Sequence, residues 1–167
     1  MGDLLGKTDG LTETDNAFEK GLTFLERRDR TVAEVRERLA KLRFEKDVAD
    51  AAIAKLEELG YLNDAVFARR YLRMLIGKGH GRLRVVQEMR NKGFAGELAR
   101  QTIDELYSDE AEEEAARAVA DRRRREIPAA LWEQEPQKAE EKVIRRLVSR
   151  GFPYAVVRKV TEGMRHV

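Results

Sequence analysis

Cysteine is absent from the 167 residues, which excludes disulfides, thiolate chemistry and zinc sites built on sulfur. Proline occurs three times, and β-branched residues are too sparse to sustain alternating strands. No apolar run approaches the roughly 18 residues that suggest a membrane helix. Residues 1–16 are acidic and carry no apolar stretch, so no signal peptide is expected, and the default location is the cytoplasm. Histidine occurs twice, as His80 and His166. Metal binding or acid–base catalysis needs convergent partners, and no HExxH, Walker or nucleophile-elbow pattern surrounds either one. A non-enzymatic protein without metal or cofactor is expected.

What is present is helix-forming. Alanine, leucine, glutamate and arginine dominate, and the unbranched members of this set lose little rotamer freedom in a helix. With 42% hydrophobic and 38% charged residues, the core must be thin. The expectation is an all-α fold.

The chain repeats itself three times. Val35, Val85 and Val143 correspond, as do Leu39, Met89 and Leu147, then Phe44, Phe94 and Phe152, then Val48, Leu98 and Val156. Within each repeat the first two of these residues lie four apart, on one face of a helix. The spacing of about 50 and then about 58 residues is close to that of helical arrays. A leading helix precedes each pair. Ala17 to Arg28 carries Phe18, Leu22 and Leu25, and Ala65 to Ile76 carries Val66, Phe67, Tyr71, Leu72 and Leu75. Glu110 to Arg125 offers only alanines and Val119.

Helix ends are legible too. In Lys92-Gly93-Phe94 and Arg150-Gly151-Phe152 a basic residue precedes glycine and an apolar residue. Glycine fits the left-handed position past a helix end, and the Phe can fold back on the last turn. Pro153 suits the start of the next helix. The first repeat has Arg43 where glycine is expected; a left-handed conformation would cost roughly 1 kcal/mol there, so a turn of different construction is expected. Thr31 with Glu34 forms a capping-box pattern, and Asn63-Asp64 is a helix start. These signals give a mobile tail at residues 1–16 and three-helix repeats at 17–60, 61–108 and 109–167. Breaks are expected at Lys78 to Gly81 and at Ile127 to Pro136. A repeat this small buries little surface alone, so the repeats should lean on one another in an elongated, curved array.

The net charge of +2 hides segments that cancel. From Tyr61 to Phe94 the balance is roughly +6, from Ala95 to Asp121 roughly −7, and from Arg122 to Val167 roughly +6. In the first basic segment Arg69, Arg70 and Arg73 share a helix side, followed by Lys78, Arg82, Arg84, Arg90 and Lys92. The second contains Arg122, Arg123, Arg124 and Arg125, then Arg145, Arg146 and Arg150. Such residues supply phosphate contacts to nucleic acid, and the glycines beside Lys78 and Arg82 could add backbone N–H groups. The bland alternative is a solvated helix surface. Four consecutive arginines point to all sides of a helix, and Arg122 has Glu126 within reach. The acidic run Asp109 to Glu114 reads as a favourable helix N-terminus. Gly77-Lys78-Gly79-His80-Gly81 lacks the spacing and preceding strand of a phosphate loop and reads as a connector. Trp132 and Tyr61 read as packing residues.

The run Gly60-Tyr61-Leu62-Asn63-Asp64, with Phe67, Ala68 and Tyr71, resembles the most recognisable stretch of the RecX family. Gly81-Arg82-Leu83, Met89 and Lys92-Gly93-Phe94 match its continuation, and Leu25 to Leu42 looks like the family's first repeat. The departures are Arg43 and the acidic approach to the third repeat. The resemblance implies three tandem three-helix repeats. It also implies a regulator that binds RecA and RecA–DNA filaments and dampens RecA's ATPase, recombinase and coprotease activities, with weak affinity for DNA itself. A monomer is the simplest expectation. Two alternatives stand beside it: a stand-alone helix-turn-helix DNA-binding protein, and a helical-repeat scaffold for protein partners.

Overall fold

The structure is a computed structural model that describes residues 11–164. Its ten helices in chain order are α1 (Glu13–Leu25), α2 (Val32–Lys41), α3 (Lys46–Glu58), α4 (Asp64–Gly77), α5 (Arg82–Lys92), α6 (Gly96–Leu106), α7 (Asp109–Glu126), α8 (Ala129–Gln134), α9 (Pro136–Ser149) and α10 (Tyr154–Met164). No strand occurs among the described residues. The all-α expectation and the three-helix repeat both hold, with α8 an addition. The stretch from Ile127 to Pro136, expected as a break, holds this one short helix, and Ile127 before it is buried. The first leading helix starts at Glu13, earlier than Ala17, because Thr12 and Asp15 form a capping box. Most of the tail assigned to residues 1–16 lies outside the described residues.

Backbone contacts divide the chain into two compact units. The first runs through Phe67 and includes Lys92–Phe94; the second comprises Ala68–Asn91 and the chain from Ala95 onward. The middle repeat therefore contributes to both.

In the first unit, Ala17 of α1, Val35 and Leu39 of α2, and Ala49, Ala52, Ile53 and Leu56 of α3 form the core, closed by Leu62. Phe18, Leu22, Leu25 and Phe44 pack around it, as their spacing predicts. Each fully buried leucine contributes about 2 kcal/mol of transfer free energy. In the second unit, α7 offers Ala116 and Ala120 to Val143 and Leu147 of α9, Phe152, and Val157 and Val160 of α10. Small residues on α7 let it approach α9 closely, which is why this weakly apolar helix still packs. Around the middle repeat, Leu72, Leu75, Val85, Met89, Ile103 and Tyr107 are buried. Two expectations shift. Val66 stands half exposed, and in the last helix of each repeat the residue after the predicted one is the more buried of the two: Ala49, Ala99 and Val157 are buried, Val48, Leu98 and Val156 only partly.

The helix-ending turns share one geometry. The Arg43 N–H donates to the Ala40 carbonyl (2.9 Å) and the Phe44 N–H to that of Leu39 (3.2 Å). Gly151 and Phe152 repeat the pair toward Val148 and Leu147, as do Gly60 with Tyr61 and Gly79 with His80 toward their own helices. This is the Schellman arrangement. Arg43 adopts φ 66° to make it, alone among non-glycine residues described. The first repeat thus keeps the turn and bears the conformational cost of about 1 kcal/mol.

Two junctions tie consecutive repeats, and they share a plan. In the first unit, the Thr31 hydroxyl donates to the Lys92 carbonyl (3.1 Å), and Gly93 leaves room for Ala33. Asp64, at the start of α4, accepts from the Val32 N–H (3.0 Å). In the second unit, the Gly81 N–H donates to the Arg150 carbonyl (2.9 Å) and the Leu83 N–H to that of Gly151 (3.0 Å). Glu112 of α7 accepts from the Arg82 N–H (2.6 Å). In both, the start of a repeat's second helix seats on the glycine turn of the next repeat, and an acid from that repeat's leading helix caps it. The orphan N–H groups of a helix start are thereby satisfied by the neighbouring repeat. At the second junction the backbones nearly touch: a Cβ on Gly81 would lie 2.5 Å from the Gly151 oxygen and the Phe152 Cα.

Candidate functional site

The junction in the second unit positions a basic cleft. The turn after α4, the C-terminal half of α7 and the end of α9 enclose about 420 Å³. Lys78, Arg122, Arg123, Arg146 and Arg150 line it, over a floor that includes Gly77, Gly79, Ala115, Ala118 and Val119. A second cleft of about 320 Å³ continues from it, lined by Lys142, Arg145 and Ser149 and sharing Arg123 and Arg146. Helical spacing explains the convergence. Arg122 and Arg123 line the cleft, while Arg124 places its guanidinium 5.5 Å from the Trp132 ring and, with Arg125, lines a separate hollow beside Pro128. On α9, Lys142, Arg145, Arg146 and Ser149 fall three and four apart, on one side. Arg150 is fixed by donating to the Lys78 carbonyl (2.8 Å).

Glu126 closes α7 in the middle of these cations. Arg123 donates to its carboxylate at 3.0 Å, and Arg146 and Arg122 lie 3.9 and 4.0 Å away. Arg145 turns toward Glu141 at 3.7 Å. His80 sits beside the junction with its Nδ1 buried. Burial, then the charges of Arg150 and Arg84, hold its imidazole below the ordinary value, so it is neutral at pH 7. Its carbonyl accepts from the Tyr107 hydroxyl (3.0 Å), and burial pushes that phenol up.

The basic residues of the middle repeat are distributed otherwise. Arg82 donates to the Tyr107 carbonyl (2.6 Å), to Glu112 (3.3 Å) and to Asp109 (3.2 Å), with Asp104 at 3.7 Å. Lys92 reaches Glu34 at 2.9 Å and lies 5.6 Å from the Phe67 ring. Burial pushes Glu34 up, but the Thr31 N–H and Lys92 outweigh it and hold the carboxyl below its ordinary value. Arg69 makes a two-fold contact with Glu105 (2.7 and 2.9 Å), and Arg84 pairs with Glu88 at 2.7 Å. Arg70, Arg73 and Arg90 are exposed on α4 and α5. The N–H groups of the Gly77–Gly81 turn, considered as phosphate contacts from sequence, are not available in that role: those of Gly79, His80 and Gly81 donate to the carbonyls of Ile76, Leu75 and Arg150. Of the basic residues singled out from sequence, the structure brings together Lys78, Arg122, Arg123, Arg145, Arg146 and Arg150. Sequence reading missed Lys142, whose place on the Arg145–Arg146 face was available from helical spacing, and the central position of Glu126.

Among the family-motif residues, Gly60 (φ 78°) and Gly93 (φ 95°) hold left-handed turns, and Gly81 the close approach. Asn63 caps α4 through the Val66 N–H (3.0 Å). Asp64, caught between helices, is pushed up by burial despite the Val32 N–H. Leu62 and Ala68 are buried, Phe67 meets Phe94 edge-on with centroids 5.3 Å apart, and Tyr61 is half exposed with its ring edge-on to Phe18. No described helix is long and apolar enough to cross a membrane.

Fold and site together define an all-α protein of tandem three-helix repeats joined through capped helix starts, with a basic cleft between the turn after α4 and the last repeat. Models of the first, second and third three-helix domains of RecX match residues 17–56, 63–103 and 110–161 in that order. The chain belongs to the RecX family of regulatory proteins. It is 30% identical to the regulatory protein RecX of Legionella pneumophila (strain Corby), over 86% of this chain and 91% of that one. It is also 30% identical to that of Trichlorobacter lovleyi, over 92% and 98%. The crystal structure of RecX from Lactobacillus salivarius has the same fold, with a TM-score of 0.80 at 20% identity, covering 93% of this chain and 98% of that one.

Proposed function

We propose that this chain is a non-enzymatic cytoplasmic regulator that binds RecA and its filament on DNA and lowers RecA's ATPase, recombinase and coprotease activities. It would thereby act in homologous recombination, DNA repair and the SOS response. Family membership across all three repeats supports the regulatory role. The observation that carries the filament reading is the convergence of cations from α7, α9 and the α4–α5 turn on one cleft. A filament on DNA presents a regular array of phosphates, and a run of arginines and lysines is the surface chemistry that meets it. Arg70, Arg73 and Arg90 supply a second basic surface on the middle repeat. The three repeats, taken as 17–60, 61–108 and 109–167, then act as separate points of attachment, so affinity is divided among many weak contacts.

The test is RecA ATPase on single-stranded DNA with this protein titrated in at fixed, moderate salt. Suppression well below one protein per RecA subunit is the expected outcome. An unchanged rate at stoichiometric excess of folded protein refutes the reading. Preference for one duplex sequence over shuffled competitors would replace it with a sequence-reading DNA-binding protein.

A further inference from the structure

The cleft contains an acid among its cations. Glu126 contacts Arg123 and faces Arg146 and Arg122. All four reach solvent: the glutamate side chain is 42% exposed, and those of Arg122, Arg146 and Arg123 are 82%, 41% and 30% exposed. Ion pairs this open contribute little to folding and exchange readily for other partners. A carboxylate held against guanidinium groups presents two oxygens and one negative charge, the same acceptor set that a phosphodiester offers.

We propose that Glu126 is a resident anion standing where a nucleic-acid phosphate binds, and that a bound strand displaces it, so that this one residue sets the affinity and salt dependence of the cleft. The proposal rests on the reading that the cleft faces DNA. Two features select a nucleic-acid backbone over an acidic peptide. The cations form a run, because the two clefts share Arg123 and Arg146, with Lys78 and Arg150 lining one and Lys142 and Arg145 the other. A run suits a ligand whose charges repeat at regular intervals. Between the cations the floor is mostly small, with Gly77, Gly79, Ala115 and Ala118 beside Ile76 and Val119, which lets a backbone approach the guanidinium groups.

Binding is then an exchange. The Glu126 pairs open, Arg122, Arg123 and Arg146 turn to phosphate oxygens, and the carboxylate moves toward solvent. Before binding, Glu126 neutralises part of the cleft; after it, the carboxylate repels the strand. Glu126→Gln removes both effects.

The experiment is fluorescence anisotropy of a labelled oligothymidylate with wild-type protein, E126Q, R146Q and the E126Q/R146Q double variant across a salt series. E126Q is expected to bind about 3- to 10-fold more tightly at about 0.1 M salt, with a log–log salt slope steeper by about 1. R146Q is expected to bind more weakly, and the gain from E126Q should shrink in its presence, since the two residues share the site. Binding by E126Q equal to or weaker than wild type overturns the proposal. So does a failure of every variant to bind the oligonucleotide at low salt, or a gain seen only toward polyglutamate. RecA ATPase measured on the same preparations separates the two readings. Tighter oligonucleotide binding by E126Q without ATPase suppression sinks the filament reading alone; suppression with no E126Q effect sinks this one alone.

Discussion

Arg82 and Arg146 each face a glutamate on α7, one near its start and one at its end, and the two pairs behave differently. Glu112 is 3% exposed and also takes the Arg82 backbone N–H, while Arg82 reaches onward to the Tyr107 carbonyl and Asp109. Glu126 is 42% exposed and shared among three arginines. A buried acid with several donors is part of the fold, because breaking it strands a charge away from water. An open acid among exposed cations is exchangeable, because water replaces each contact at small cost. Arginine density in the sequence is similar in both places; burial separates a structural arginine from one able to meet a ligand.

The comparison can be broken first at the structural end. Gly151 takes φ 81°, and a Cβ there would lie 2.5 Å from the Arg84 backbone nitrogen. Gly151→Ala therefore adds backbone strain to a clash that no side-chain rotation relieves. A loss of about 4 kcal/mol is expected in urea denaturation. A loss under about 1 kcal/mol would mean that the junction yields, and that the cleft it positions is not fixed by it.

Next in size is the direct contrast between the arginines. Arg82→Ala should cost about 3 kcal/mol by leaving the buried Glu112 without the guanidinium and with only the backbone N–H of residue 82, whereas Arg146→Gln should stay within about 0.5 kcal/mol. Equal losses in parallel melts would mean that burial does not separate the two arginines.

The smallest effect concerns pH. His80 has its folded value below the ordinary 6.5, chiefly through burial and then through Arg150 and Arg84. The unfolded chain consequently takes up the proton more readily, so the contribution of His80 to stability falls as pH drops below about 6.5. His80→Gln should lose less stability between pH 7.5 and 5.5 than wild type does. Identical losses would show that the imidazole is not penalised at the junction.

Much of the fold was legible because its signals are local. Val35 and Leu39, Val143 and Leu147, the Thr31–Glu34 capping box and the Gly151 turn all act within a few residues of one another. The turn at Arg43 was only half legible: the repeat called for glycine, the arginine suggested a different construction, and the structure keeps the Schellman geometry with Arg43 at φ 66°. The extra helix α8 and the early start of α1 were not foreseen: the first sits in a stretch read as a break, the second on a threonine–aspartate cap that was passed over.

The candidate site was legible only as a list of cations. Sequence could supply Arg82, Lys92, Arg122 and Arg146, and it could state that four consecutive arginines cannot face one ligand. It could not say that Arg82 finds Glu112 thirty residues away or that Lys92 finds Glu34 fifty-eight residues away. Nor could it say that Lys78 and Arg150 meet across seventy-two. Helix identity and helix ends follow from short-range backbone geometry, which each stretch of sequence carries with it. Which charges are neutralised and which converge depends on how those helices pack, and that is decided only when distant segments bury one another's apolar faces.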